Sequence, residues 1–418
     1  MADGEGVFEY EADTSTLATQ IVILDSSGKP VRIAQGETGA GSHTFTWDGK
    51  DNDGNALEDG IYTVQIQGKD RDGKTVEFET RAVGRVTGVE VRDGLLDLAV
   101  NVYDGPRPAW LDRALVASLA DATSYPDPAP AAAAITERHG RQLDEVLPTA
   151  GAAEAFTLIA RQPWRRPVVV HPQFTEPHAA LELAGHHVTT VSCRPEDGFA
   201  IDPAAVPDEA DLVMVGNPTN PTGVLHPAEV LERLRRPGRV VVVDEAFMDA
   251  VPGETETLLG GPVDGVVVLR SLTKHWSIPG IRAGYMVGDA GVVRRLAAQQ
   301  TPWSVSTTAI AATVACCTPT ATGEAEERAH TLAGWREVLV DGFRARGIEQ
   351  VPSAAPFVLA RLGAGTRAAL REEGVAVRRA DTFPGLDGSW ARIAVRPPAT
   401  TVHLFAALDR VRAPEPAL

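Results

Sequence analysis

The chain has 418 residues, a net charge of −17 and 44% hydrophobic residues, which indicate a globular protein of two or three well-packed domains. This acidic balance argues against a nucleic acid or an anionic membrane as a partner. No signal peptide is evident and no apolar run approaches the roughly 18 residues of a membrane span, so we expect a cytoplasmic protein. The three cysteines lack metal-ligand spacing; we expect them to be reduced, and we expect no metal site.

Charge and turn pattern set the first part of the chain apart. Residues 1–91 carry a charge of −9 and the remaining 327 carry −8, which predicts a domain boundary near residue 91. Short apolar segments that alternate with Gly, Asn and Asp turns predict an antiparallel β-sandwich there. The acidic cluster at 48–54 could be read as a calcium loop, but it lacks flanking helices and the spacing to a terminal Glu. Asp-Gly turn chemistry explains the cluster better.

This segment also carries a recognisable motif. The pattern Trp-Asp-Gly-x-Asp-x-x-Gly at 47–54, with Asp-Gly-x-Tyr at 59–62, resembles the immunoglobulin-like domain of the flagellar hook-capping protein. Residues 68–91 resemble the extra strands that follow in that protein. No catalytic constellation is visible in this segment. The sequence leaves open whether the β-domain is a natural or an engineered fusion, and what it does.

Three reactive side chains follow predicted strands in the rest of the chain. Apolar, β-branched runs predict buried strands at 212–215, 240–243 and 266–269. They are followed by Asn220, Asp244 and Lys274. An amine can form a Schiff base with an aldehyde cofactor, a carboxylate can keep a pyridine nitrogen protonated, and an amide can donate to a phenolate oxygen. These are the groups that a pyridoxal ring requires.

Two further groups suit a phosphate. Ser271 lies one turn before Lys274 and Arg282 lies eight residues after it. A guanidinium has the planar fork that matches phosphate oxygens. A lone Ser-x-x-Lys would more often mark a surface lysine, so the interpretation depends on the combination.

This combination carries a family resemblance. Ser-Leu-Thr-Lys at 271–274, followed by Ile-Pro-Gly-Ile-Arg-x-Gly-Tyr at 278–285, resembles the aspartate-aminotransferase superfamily of pyridoxal-phosphate enzymes, fold type I. The resemblance covers about residues 96–412 and is greatest to the threonine-phosphate decarboxylase and histidinol-phosphate aminotransferase branch. It implies a pyridoxal 5′-phosphate cofactor, an α/β fold with large and small domains, and a homodimer whose active sites draw residues from both subunits. We therefore predict an N-terminal arm at 92–125, a large domain at 126–320 and a small domain at 321–418.

The resemblance also implies further cofactor contacts. The backbone amides of Ala152 and Ala153, at the start of a predicted helix, would hold the cofactor phosphate. Phe174 would stack on the pyridine ring, with an ordinary core phenylalanine as the alternative. Tyr125 would reach the cofactor phosphate of the neighbouring subunit, with a packed ring in a turn as the alternative. Phe247 stands where many relatives have a tyrosine that donates to the phenolate oxygen, and the decarboxylase-like branch shares this phenylalanine.

Substrate contacts are implied at both ends of the enzyme. Asn101 matches the arm that crosses the mouth of the active site. Arg392 matches the arginine that clamps the substrate α-carboxylate, and Arg378 matches a position that meets the substrate phosphate in the histidinol-phosphate relatives. For Arg396, assistance to substrate binding and a solvated strand end remain equal alternatives.

The resemblance implies a reaction on a phosphorylated amino acid. Our first interpretation is decarboxylation of L-threonine O-3-phosphate in cobalamin biosynthesis. The second is a transaminase of the histidinol-phosphate type. A third, of another class, is a non-catalytic binding or assembly protein, which the intact set of site residues argues against. The sequence does not distinguish decarboxylation from transamination, because the difference lies in how the substrate is oriented.

Overall fold

The computed structural model describes residues 6–12, 18–24, 29–36, 41–47, 49–55, 57, 61–69, 75–77, 83–85 and 95–412. The chain divides into two compact units, residues 1–99 and residues 100–418. The boundary predicted at residue 91 lies outside the described residues. The boundaries predicted at 125 and 320 stay predictions.

The first unit is built from short strands. These are β1 (Gly6–Ala12), β2 (Ala18–Leu24), β3 (Pro30–Gly36), β4 (Gly41–Trp47), β5 (Ile61–Lys69), β6 (Thr75–Glu77), β7 (Val83–Arg85) and β8 (Leu96–Leu98). Strands β1 and β4 pair with each other, and β3, β2, β5 and β6 form a sheet in that order, with β7 also paired to β5. All of these pairs are antiparallel, which agrees with the predicted all-β class.

The acidic cluster of this unit forms a turn. The Asp51 carboxylate accepts hydrogen bonds from the backbone of Asp53 (2.9 Å) and Asn55 (2.8 Å). Short polar side chains stabilise turns in this way. Asp48 lies outside the described residues. Among the residues that are described, no cluster of three or more His, Cys, Asp or Glu side chains could hold a metal ion.

The second unit alternates strands and helices. Its strands are β9 (Val146–Thr149), β10 (Pro167–His171), β11 (Thr189–Ser192), β12 (Leu212–Gly216), β13 (Val240–Asp244), β14 (Val266–Ser271), β15 (Gly284–Gly288), β16 (Glu349–Gln350), β17 (Phe357–Arg361), β18 (Val375–Arg379) and β19 (Trp390–Ala394). Its helices are α1 (Ala109–Ser118), α2 (Ala129–His139), α3 (Gly151–Ala160), α4 (Glu176–Leu183), α5 (Ala228–Glu232), α6 (Ala290–Ala297), α7 (Thr307–Cys316), α8 (Pro319–Ala345), α9 (Thr366–Glu372) and α10 (Pro398–Arg412). In the described part of the chain, no helix has both the length and the apolar content needed to cross a membrane.

A seven-stranded sheet forms the centre of this unit. Its order is β11–β10–β12–β13–β14–β15–β9, and the first five strands run parallel. Strand β15 is antiparallel to both of its neighbours. The central parallel strands β12, β13 and β14 are mostly apolar and buried, as expected where helices cover both faces of a sheet, whereas the edge strand β11 (Thr189–Ser192) is polar and mostly exposed. Along β13, Val241 and Val243 face one core, whereas Val240 and Val242 face the other.

A smaller antiparallel arrangement follows near the carboxyl end. Strands β16, β17, β19 and β18 lie side by side in that order. Helices α8 and α10 pack together, with the ring of Phe343 edge-on to that of Phe405 at 5.6 Å. Gly342 lies directly beneath Phe405, since a Cβ added there would lie 2.0 Å from its ring. The α/β architecture predicted from sequence is confirmed, with a large, mostly parallel sheet and a second, antiparallel one.

Candidate active site

Three neighbouring parallel strands bring the predicted reactive groups to one edge of the large sheet. The pairs β12–β13 and β13–β14 are parallel, so their carboxyl ends lie together. Asn220 belongs to the loop after β12, Asp244 ends β13, and Lys274 lies three residues beyond β14. Ligands of open α/β sheets bind outside the carboxyl ends of the strands.

The loop after β12 presents the Asn220 side chain. The peptide bonds before Pro218 and Pro221 are both cis. Asn217 is buried and holds the loop, since its side-chain oxygen accepts from the His226 backbone at 2.8 Å. The Asn220 side-chain oxygen accepts from Arg392 Nη1 at 2.6 Å. The amide NH₂ of Asn220 therefore remains as its donor.

Asp244 is a partly buried carboxylate. Its Oδ1 accepts a hydrogen bond from the Ala246 backbone at 3.1 Å. Burial raises the pKa of Asp244 to about 6, and that hydrogen bond only partly offsets the effect. A cation placed against this carboxylate would favour its ionised form.

Lys274 is a half-buried amine among positive charges. Burial lowers its pKa, and the charges of Arg392 and Arg282 lower it further. A depressed pKa increases the fraction of neutral amine, which is the nucleophilic form. The backbone oxygen of Lys274 accepts from the Tyr103 N–H at 3.0 Å, so the chain after residue 100 lies against this loop.

Helix α3 begins beside Arg282. Gly151, at the first helical position, has a φ of 73°, and a Cβ added there would lie 2.9 Å from Arg282 Nη2. The backbone N–H groups of the first turn, which includes Ala152 and Ala153, have no partner within the helix. Ser271 is buried, with its hydroxyl 2.8 Å from that of Thr273. A glycine, free amides and a guanidinium form a cradle for an anion.

The two aromatic side chains that we predicted to contact the cofactor, Phe174 and Tyr125, are exposed to different degrees. Phe174 is 37% exposed, and its ring lies 6.3 Å from that of Phe156. This exposure disfavours the alternative of an ordinary core phenylalanine. Tyr125 is 77% exposed and its ring stacks on that of Trp303 at 4.3 Å. The ring is therefore packed in part, while most of its surface stays accessible.

Arg392 lies between two asparagines. Arg392 is buried on β19. The side-chain amide of Asn101 is oriented with its oxygen towards the guanidinium, 3.0 Å from Arg392 Nη1. The guanidinium also lies over the ring of Phe357, 5.3 Å from its centroid. Arg378 is the register partner of Arg392 on β18, so the two arginines occupy one face of the sheet.

Phe247 packs in the same region. Its ring meets that of Phe357 edge-on at 5.0 Å, and only 9% of the residue is exposed. The aromatic pair thus connects the turn after Asp244 to the ring beneath Arg392. A phenylalanine contributes packing here but no hydrogen-bond donor.

Arg396 is buried, which contradicts the alternative of a solvated strand end. The alternative of a role in substrate binding stays a prediction. Arg396 donates to the backbone oxygens of Val100 (2.7 Å) and Val102 (3.2 Å), and it lies 3.8 Å from the Asp104 carboxylate. Its guanidinium therefore holds the arm of the enzyme.

A buried ionic cluster beneath the site escaped the sequence analysis. Arg270 is fully buried on β14 and lies 3.0 Å from the Glu245 carboxylate and 2.5 Å from that of Glu254. Glu245 also accepts from the Thr257 hydroxyl and the Leu258 backbone. Glu245 directly follows Asp244, so the cluster fixes the turn that carries Asp244. An arginine within the apolar run of β14 was the available signal, because a buried charge requires a partner.

The chain is similar to known proteins in both units. The family model of class I and II aminotransferases matches residues 93–411, and that of the FlgD Ig-like domain matches residues 2–72. A histidinol-phosphate aminotransferase of Mycobacterium tuberculosis is 49% identical over 316 residues, which cover 74% of this chain and 85% of that protein. The threonine-phosphate decarboxylase of Salmonella typhimurium is 30% identical over 356 residues, which cover 79% and 94%.

The fold of this chain is similar to a solved structure. The crystal structure of the histidinol-phosphate aminotransferase from Clostridium acetobutylicum superposes on it with a TM-score of 0.70 at 24% sequence identity. The match covers 76% of this chain and 99% of that one.

Proposed function

The chain belongs to the class I and II aminotransferase family, whose members depend on pyridoxal phosphate, and on that premise we propose that it decarboxylates L-threonine O-3-phosphate. The products would be aminopropanol phosphate and carbon dioxide, as required for cobalamin biosynthesis. We propose further that it acts as a cytoplasmic homodimer, with the exposed Tyr125 reaching the cofactor phosphate of the partner subunit.

The residues at the strand ends fit this cofactor. We assign Lys274 to its aldehyde, Asp244 to its ring nitrogen, and the Asn220 amide to its phenolate oxygen. Phe174 would cover one ring face. The cofactor phosphate would lie in the anion cradle formed by Ser271, Arg282 and the amides of Ala152 and Ala153. When bound, the cofactor supplies an electron sink for a bond broken at the substrate Cα.

The pair of arginines on neighbouring strands is the observation that carries the choice of substrate. Arg392 and Arg378 are register partners on one sheet face. Threonine phosphate carries a carboxylate and a phosphate on one molecule, whereas histidinol phosphate carries a phosphate and an imidazole but no carboxylate, and the keto acid of a transaminase carries two carboxylates but no phosphate. Two guanidinium groups therefore suit threonine phosphate, with Arg392 on the carboxylate, Arg378 on the phosphate and Asn101 steadying Arg392.

Lys274 would perform the proton transfer. In decarboxylation the bond from Cα to the carboxylate breaks, carbon dioxide leaves, and the protonated amine of Lys274 would give a proton to Cα. In a transamination the same amine would remove the proton from Cα of the amino donor and, in the return half-reaction, would give a proton to Cα of the keto acid. The orientation of the substrate, fixed by Arg392 and Arg378, selects which bond breaks.

A transaminase of the histidinol-phosphate type is the second candidate. The 49% identity to the mycobacterial protein of that name favours it. This reaction needs a keto acid to complete its cycle, which decarboxylation does not.

A product assay separates the two candidates. Purified enzyme with pyridoxal phosphate is given threonine phosphate without a keto acid, or histidinol phosphate with 2-oxoglutarate. Carbon dioxide released over many turnovers supports the decarboxylase. Glutamate formed in the second mixture, with no carbon dioxide in the first, replaces it with the transaminase. Failure of both reactions in a cofactor-loaded enzyme contradicts both substrates.

A further inference from the structure

The segment of residues 100–103 contacts both parts of the candidate site. It belongs to no helix or strand, so its backbone groups need partners from outside the segment. The N–H of Tyr103 donates to the backbone oxygen of Lys274 at 3.0 Å, and the backbone oxygen of Tyr103 accepts from the Ser277 hydroxyl at 2.8 Å. One end of the segment is therefore fixed to the loop that carries Lys274.

Arg396 fixes the rest of this segment. It is buried and lies two residues beyond the end of β19. Its Nη2 donates to the backbone oxygen of Val100 at 2.7 Å, and its Nη1 donates to that of Val102 at 3.2 Å. These two carbonyl groups belong to the residues on either side of Asn101. Because the guanidinium is a rigid planar fork, the two hydrogen bonds together determine where the backbone of Asn101 lies.

The side chain of Asn101 lies over Arg392. Asn101 is buried, and its side-chain oxygen lies 3.0 Å from Nη1, 3.2 Å from Nε and 3.3 Å from Nη2 of that arginine. An acceptor in the plane of a guanidinium is close to at most two of the three nitrogens, so this oxygen lies against the face of the group. A carboxylate binds in the plane of the fork. Asn101 can therefore stay in place when Arg392 binds a carboxylate.

The amides beside Arg392 orient it without cancelling its charge. The side-chain oxygens of Asn101 and Asn220 are both neutral acceptors. The charge of Arg392 acts on Lys274, since burial lowers the pKa of that amine and the nearby guanidinium lowers it further. A side chain that is already oriented loses less conformational freedom when it binds a ligand. Arg392 is therefore prepared to bind an anion.

We propose that Arg396 is a positioning residue for substrate binding. Through the carbonyl groups of residues 100 and 102 it keeps Asn101 over Arg392, so that Arg392 meets the substrate carboxylate in a fixed orientation. Arg396 acts through Asn101 and needs no contact with the substrate. The proposal rests on the proposed function at one point, the assignment of Arg392 to a carboxylate. The alternative is that Arg396 only satisfies two buried carbonyl groups and contributes to stability alone.

A double-mutant cycle distinguishes these two roles. It compares the unmodified enzyme with Arg396→Met, with Asn101→Ala and with the variant that carries both changes. Methionine cannot donate to the carbonyl groups of the segment, and alanine lacks the oxygen that lies over Arg392.

Arg239→Met is the matched control. Arg239 is also buried and also donates to backbone oxygens, those of Ala210 at 2.9 Å and Leu234 at 2.8 Å. It directly precedes β13, at the opposite end of that strand from Asp244. Its replacement therefore removes the same kind of contact away from the candidate site.

Two quantities are measured on the cofactor-loaded proteins. The first is the pair of KM and kcat for release of carbon dioxide from threonine phosphate. The second is the Kd of 3-phosphonopropionate, followed through the visible absorbance of the cofactor. This probe carries a carboxylate and a phosphonate but no amine, so it binds without turnover.

Arg396→Met should raise KM and Kd about tenfold, because the hydrogen bonds from Arg392 to the carboxylate are weakened. It should lower kcat less than about threefold, since the guanidinium is still present once substrate is bound. Asn101→Ala should raise KM and Kd by a similar factor. The double variant should lie within about twofold of Asn101→Ala, because both changes remove the same contact. Arg239→Met should leave KM and Kd within about twofold of the unmodified values.

Factors that multiply in the double variant, to about 100-fold, would overturn the proposal. An Arg239→Met variant that raises KM and Kd as much as Arg396→Met would do the same. If Arg396→Met does not fold, Arg396→Lys takes its place in the cycle. Lysine keeps the charge but lacks the fork that spans two carbonyl groups, and we expect it to raise Kd about threefold.

An unmodified enzyme that releases no carbon dioxide contradicts the proposed function and not the role of Arg396. The cycle in Kd still decides that role, because the probe requires no turnover. An unmodified, cofactor-loaded enzyme that does not bind the probe would overturn the role of Arg396 as well.

Discussion

Arg392 donates from Nη1 to the side-chain oxygen of Asn220 at 2.6 Å. This contact joins the residue assigned to the substrate carboxylate with the residue assigned to the cofactor phenolate oxygen. Because the oxygen of the Asn220 amide is engaged, its NH₂ group has a fixed orientation. We therefore expect binding of an anion by Arg392 to affect the hydrogen bond that Asn220 makes to the cofactor.

Replacement of Lys274 by Ala should abolish turnover and leave the protein folded. The same residue offers a direct chemical test, because it is the only lysine between residues 75 and 418. Borohydride treatment of the cofactor-loaded enzyme should attach the cofactor to Lys274, and peptide mass mapping would identify the position. A label on another lysine, or turnover by Lys274→Ala, would contradict the assignment.

Arg392→Lys should weaken substrate binding even though it keeps the charge. A lysine lacks the planar fork that holds a carboxylate through two hydrogen bonds and that also reaches Asn220. We expect kcat/KM to fall about 100-fold, since hydrogen bonds to charged groups contribute about 1.5–3 kcal/mol each. Steady-state kinetics measure this, with the exposed Arg344→Lys on α8 as the control. An equal decrease of kcat/KM in the two variants would contradict the assignment of Arg392 to substrate binding.

Phe247→Tyr should restore a hydrogen-bond donor near the cofactor. A phenol that donates to the phenolate oxygen stabilises its negative charge and makes the neighbouring nitrogen less basic. We expect the pH-dependent visible absorbance change of the lysine-bound cofactor to move to lower pH by about one unit. Spectrophotometric titration measures the shift. Phe405→Tyr on α10 should leave the midpoint in place; a common midpoint for both variants would show that residue 247 does not reach the cofactor.

Asp244 should make the cofactor-free protein less stable as the pH rises. Its pKa is about 6 in the folded state against an ordinary value of 3.8, so between these values the folded state keeps a proton that the unfolded state has lost. The stability from this carboxyl group is fully present below pH 4 and is lost as the pH rises through 6. Asp244→Asn lacks this dependence.

Urea unfolding of the cofactor-free proteins checks this sign. The unfolding free energy of Asp244→Asn relative to the unmodified protein should increase by about 1–3 kcal/mol between pH 4 and pH 7. The exposed Asp341→Asn should show no such trend. With the cofactor bound, the same Asp244→Asn variant should lose most of its activity, because it cannot pair with a protonated ring nitrogen. A pH-independent difference would contradict the buried carboxyl.

The ion pair of Glu245 and Arg270 should contribute to stability far more than a surface pair. Glu245→Gln removes one charge from a fully buried pair, and we expect a loss of about 2–4 kcal/mol in unfolding free energy. Arg270 keeps Glu254 as a partner, so the loss should be partial. The matched control is Glu232→Gln, which breaks a half-exposed pair with Arg235 and should cost less than about 1 kcal/mol. Denaturant unfolding of both variants decides the comparison.

The fold class and the strand-end residues were predictable because their signals are local. Apolar runs followed by Asn220, Asp244 and Lys274 specify buried parallel strands with reactive ends, and parallel pairing brings those ends together. Contacts between distant parts of the chain were not predictable in this way. Arg396 reaches residues almost 300 positions away, and Tyr125 stacks on Trp303. Tertiary packing determines these contact partners. Neither Arg396 nor Tyr125 lies in a periodic sequence pattern that would predict its partner.

Two of the hydrogen bonds that Arg396 donates go to the main-chain oxygens of Val100 and Val102. Carbonyl groups are the same in every residue, so the side chains at these two positions are under little constraint from this contact. We therefore expect the amino acids at positions 100 and 102 to vary among relatives that retain an arginine at position 396. Loss of that arginine should be accompanied by changes throughout the arm.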